Sequence, residues 1–169
     1  MILTKSELIA SLQKEVRILL HLASKIDPGQ LDYRPTPKQR STLELLQYLT
    51  YMGPMLVRYA KGEKMDADTW APIVKAAGAR DFAQTLAAIA AQKDTYAALV
   101  EGMDENAFRA EVQGFDGAKT SCGSFIVYNV LGQCAAYRTQ LFLYLKACGR
   151  EELNTANLWN GVDPAPAAV

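Results

Sequence analysis

"LGQCAAYRTQLFLYL", residues 131–145, decides how this chain is read. In an α-helix, residues three and four apart share a face. Stepping in threes and fours from Val130 gives Gln133, Tyr137, Leu141 and Tyr144, so the segment reads as a helix with an amide and a phenol one turn apart on its inward side. Buried polar groups need partners, and each left unpaired costs about 1–3 kcal/mol. The pair therefore marks either a hydrogen-bonded core network or a site.

The same period runs outward along the chain. Leu8, Leu12, Val16, Leu19 and Leu20 line one side of a first helix over residues 4–25, with Thr4 and Glu7 at capping-box spacing and "DPGQ" (27–30) as its stop. Ser41 and Glu44 repeat that spacing before a second helix over 42–61, which buries Leu45, Tyr48, Leu49, Met52 and Leu56 and carries Pro54 as a potential kink. Residues 62–80, with Trp70 and Pro72, read as a polar connector. Asp81 caps a third helix to 101, with Phe82, Leu86, Ile89, Tyr96 and Leu99 on its apolar side. A Gly-rich link containing "GFDG" (114–117) leads to the fourth helix, which ends before Gly149. No stretch alternates as a strand would. Four helices of this length predict an all-α, single-domain four-helix bundle over residues 1–150. The tail, 151–169, is expected to pack through Trp159 and to fray at "PAPAAV".

Composition narrows the function classes. The chain has 169 residues, 50% of them hydrophobic, with 18 basic and 18 acidic side chains. That balance gives no electrostatic support for nucleic-acid binding. No apolar run is long enough to span a membrane, and the charges scattered through the first 20 residues do not suit a signal peptide, so a cytoplasmic location is expected. Cys122, Cys134 and Cys148 form no metal-binding spacing and read as reduced structural thiols. The single histidine, His21, rules out any multi-histidine site.

Two segments carry a family resemblance. "LDYRPTPKQRSTLELLQYLTYMG" (31–53) resembles the first loop and second helix of the DinB/YfiT-like superfamily, where an Arg-Pro loop leads into a Ser-capped helix with a Glu-Leu-Leu-x-His-Leu motif. "LGQCAAYRTQLFLYLKACG" (131–149) resembles its last bundle helix, His-x-x-x-His-Arg-Gly-Gln-Leu followed by Leu-Tyr-Leu. The resemblance implies a four-helix bundle, often a homodimer, that in many members holds a divalent metal with three histidines. Some relatives are thiol-dependent transferases or isomerases. By position, the three ligand sites fall on Tyr48, Gln133 and Tyr137, none a histidine. Thr139 replaces the usual Gly, while Arg138, Gln140 and Leu141 keep the pattern.

The expected site is thus a former metal centre lined by Tyr48, Gln133, Tyr137 and Arg138, holding a small-molecule ligand and no cofactor. A metal-independent thiol transferase, with a phenol polarising substrate and Arg138 holding a carboxylate, is one alternative; a purely structural dimeric protein is the other. Ordinary explanations stand beside each candidate. Glu44 serves as a cap, Arg138 as a structural ion pair, His21 as a helix C-terminal group and Ser121 as the cap beside Cys122. Tyr51, Tyr128 and Asn129 sit where they can widen a pocket, and Trp70 and Trp159 read as anchors.

Overall fold

The computed structural model describes residues 3–165. Thr4 opens α1, Lys5–Ala23, with both halves of the capping box in place. Its buried face holds Leu8, Leu12, Val16 and Leu19 as expected. The expected second helix is two helices, α2 (Thr42–Leu49) and α3 (Met52–Ala60). Pro54 accounts for the break. It has no N–H to return to the Thr50 carbonyl, and its ring crowds that same carbonyl.

The connector is where the sequence reading needs correcting. Asp66 accepts from the Thr69 amide and caps α4, Ala67–Gly78, which lies on α2. Pro72 had argued against a helix, but it forfeits only one hydrogen bond on an element that is mostly exposed. The buried Gln47 amide fixes the return by donating to the Gly78 and Arg80 carbonyls at 3.3 and 2.7 Å. Asp81 then caps α5 (Phe82–Ala90), and after a bend at Ala91 the chain continues as α6 (Gln92–Glu101). At the bend Gln92 is buried, and its amide donates to the Leu49 carbonyl at 2.7 Å, satisfying an end of α2.

The link after α6 forms α7 (Glu105–Arg109) and a hairpin of β1 (Glu111–Gln113) and β2 (Lys119–Ser121). The strands are antiparallel with Val112 opposite Thr120, and "GFDG" makes the tip. Three residues a side are too few for alternation to register, so the sequence showed only a glycine-rich link. Ser121 caps α8 (Cys122–Ile126), which passes through a π-helical turn at Val127–Leu131 into α9 (Gly132–Ala147). Gly149, at φ +93°, reverses the chain so that the Arg150 amide reaches the Leu145 carbonyl at 3.0 Å.

These pieces make four rods around one core. Rod α1 packs on α5–α6 and on α9, while α2 lies on α5 and α9 and α3 on α6 and α8. The second and third rods therefore run in the same direction, antiparallel to the fourth. Gln13 of α1 donates to the Lys93 carbonyl of α6, and Gln30 donates to Cys148 beyond α9, so the first and fourth rods are parallel. The bundle is not up-and-down; its long crossing joins the second rod to the third, through α4. After α9 the chain folds back on α1 through a π-helical turn, Ala156–Asn160, where Asn157 is buried and contacts His21 at 3.1 Å. The fraying expected at "PAPAAV" falls, from residue 166 on, outside the described residues.

Candidate functional site

Tyr48 on α2 and Tyr137 on α9 meet. Their ring centroids are 5.2 Å apart at an interplanar angle of 67°, an edge-to-face contact. Tyr51 extends the cluster at 5.4 Å from Tyr48, and Trp70 of α4 stands 5.8 Å from Tyr51. The result is a wall of four rings in sequence, Trp70–Tyr51–Tyr48–Tyr137, half-buried throughout. The Arg40 guanidinium lies over the Tyr48 ring, 4.0 Å from its centroid. Burial holds the Tyr48 phenol well above the usual tyrosine range, and the neighbouring Tyr137 hydroxyl pushes it the same way. Tyr48 is therefore a neutral hydroxyl at any physiological pH.

Gln133 sits one turn before Tyr137 on the same face of α9 and is half-buried. Arg138 goes elsewhere. Its guanidinium is 3.1 Å from Glu15 of α1, with side-chain exposures of 5% and 15%, and its outer face is covered by the Trp159 ring at 4.9 Å. Around this buried pair lie residues that the sequence reading passed over as candidates. Cys134 is one turn before Arg138, and burial, then the charge of Glu15, push its thiol up to about 12. Tyr96 is buried against Cys134, and its phenol is raised well above the usual range, chiefly by burial. Glu15, Cys134 and Gln92 line a small, partly open cavity of ≈ 10 Å³ with Val16, Leu19 and Leu49. A signal for Glu15 was present, because Leu8, Leu12, Glu15 and Leu19 follow the three-and-four spacing of the core seam.

The remaining candidates settle into structural positions. Glu44 accepts from the Ser41 amide at 2.8 Å and pairs with Arg34 at 3.3 Å. Cys122 is fully buried, its sulfur 3.7 Å from that of Met103, and burial raises its thiol pKa. A thiol so placed is not an activated nucleophile. Ser121 accepts from the Ser124 amide at 3.2 Å, as a cap does. Tyr128 and Asn129 line a cleft of ≈ 480 Å³ beside the hairpin tip, away from the tyrosine wall.

A divalent metal at Tyr48, Gln133 and Tyr137 would find an amide and two phenols. Zinc favours thiolate, imidazole and carboxylate, and Tyr48 is held against the deprotonation a phenolate ligand needs. Among the described residues no group of three or more His, Cys, Asp or Glu side chains is placed to hold a metal ion. The residues at these positions do not fit the metal.

Comparison with known proteins fits this architecture. A crystal structure of a DinB-like protein from Bacillus subtilis superposes with a TM-score of 0.65 over 88% of this chain and 96% of its own, at 14% identity. Among curated proteins none matches significantly. The DinB superfamily model matches residues 11–131, which takes in Tyr48 and stops two residues before Gln133. By that match over most of its length, the chain belongs to the DinB superfamily.

Proposed function

We propose that this protein is a non-catalytic DinB bundle in which a Tyr48–Gln133–Tyr137 cluster stands where relatives hold a metal, and that it acts by binding a small molecule there. The observation that carries the reading is the edge-to-face contact of Tyr48 with Tyr137, which brings two of the three positions together across α2 and α9. The wall continues through Tyr51 to Trp70, and such half-exposed aromatic surface with a polar rim suits ligand binding. In this reading Arg138 contributes from behind, holding α9 against α1 through Glu15. That engagement leaves it little freedom to clamp a substrate carboxylate, which weighs against a metal-independent thiol transferase. Dimerisation in the cytoplasm completes the proposal; Tyr128 and Leu143, exposed by 80% and 58% on the last rod, offer apolar surface to a second copy.

A thermal-shift screen tests the binding reading. At least one compound class should raise Tm in the native protein and lose its effect in Tyr137→Ala, because a ligand that binds only the folded state stabilises it. A chemically diverse screen without any such compound would leave only a structural role.

A further inference from the structure

Arg40 is the one residue of the aromatic cluster that brings a charge to it, and its place is built from two sides. Its backbone carbonyl accepts a 3.0 Å hydrogen bond from the Tyr144 hydroxyl, which in turn accepts from the Gln140 amide at 2.6 Å. Helix α9 thereby fixes the last residue of the 31–40 loop just ahead of the Ser41 cap. From there the guanidinium reaches over the face of Tyr48. Among the described residues no carboxylate pairs with it. Glu44, whose charge it feels, is already engaged by the Ser41 amide and Arg34. A guanidinium stacked on a ring keeps the N–H groups along its edge free, and that edge matches a carboxylate in bidentate geometry.

We propose that Arg40 and the Trp70–Tyr51–Tyr48–Tyr137 wall form a recognition site for a small carboxylate carried on a planar, apolar body. Arg40 takes the carboxylate, the phenol hydroxyls donate to it, and the rings of the wall cover the planar part. The neutral state of Tyr48 serves this chemistry, since a phenolate would repel the anion. The inference rests on the binding reading above and names its ligand class.

Calorimetric titration of the full-length protein with 2-naphthoate and with its neutral analogue 2-naphthamide tests it. The expected result is binding of the naphthoate, weakened at least about tenfold in Arg40→Gln and unchanged in Lys38→Gln, an exposed neighbour in the same loop. Equal binding of the amide would overturn the carboxylate assignment while leaving a ligand site in place. Naphthoate binding that survives Arg40→Gln would remove Arg40 from the site. No binding of either compound would overturn this inference, and the thermal-shift screen separately decides whether the bundle binds any small molecule.

Discussion

Glu15→Ala is expected to destabilise the protein by about 3–5 kcal/mol, because it strands the Arg138 guanidinium in the core without its counter-charge. For a chain of this size that is a fall in Tm on the order of 10 °C. Even in the native protein the pair is not fully satisfied. Glu15 Oε2 and Arg138 Nε are both buried without a hydrogen-bond partner among the described residues. Burial raises the Glu15 pKa, and Arg138, though it pulls the other way, does not cancel the effect. A carboxyl with a raised folded pKa contributes less stability as pH climbs from its ordinary value through the raised one, so the ionised pair is costly to hold at neutral pH. The double variant Glu15→Leu, Arg138→Met should therefore recover most of the loss seen in the single variant. Urea unfolding of the three proteins measures it. A double variant no more stable than Glu15→Ala would mean that the pair itself supports the fold.

The second large effect is expected at Gly53. An alanine there would place its Cβ 1.9 Å from the Tyr96 hydroxyl oxygen and 3.0 Å from the ring carbon that bears it. Tyr96 is 1% exposed and has no room to retreat, so Gly53→Ala should cost about 1–3 kcal/mol through forced repacking of α3 on α6. Removing the hydroxyl removes the worst contact. Tyr96→Phe should accordingly be less harmful in the Gly53→Ala background than alone, with a coupling of roughly 0.5–3 kcal/mol in a double-mutant cycle. Additive losses would show that the close approach of Gly53 to Tyr96 is not what limits this position.

Thr4, Ser41 and Asp81 announced three helix starts because a cap needs only a local partner, Glu7, Glu44 or Gln84, three residues on. Pro54 announced the break between α2 and α3 for an equally local reason. The meeting of Tyr48 with Tyr137 was legible only as spacing plus resemblance, since nothing local pairs α2 with α9. What stayed hidden depends on distant partners. Helix α4 brings Trp70 to Tyr51, yet its mostly exposed faces and Pro72 look like a linker. Glu15 follows the core seam, but its partner Arg138 lies 123 residues away. Arg40 gave no signal, because its position over Tyr48 depends on Tyr144, 104 residues away.

If phenols and an amide have taken the place of a metal-binding triad, metal content per chain shows it most directly. Elemental analysis of untagged, natively purified protein should find no stoichiometric transition metal. The variant carrying Tyr48→His, Gln133→His and Tyr137→His together should take up nickel or zinc near one ion per chain. A stoichiometric metal in the native protein, or a folded triple variant that takes up none, would contradict the account.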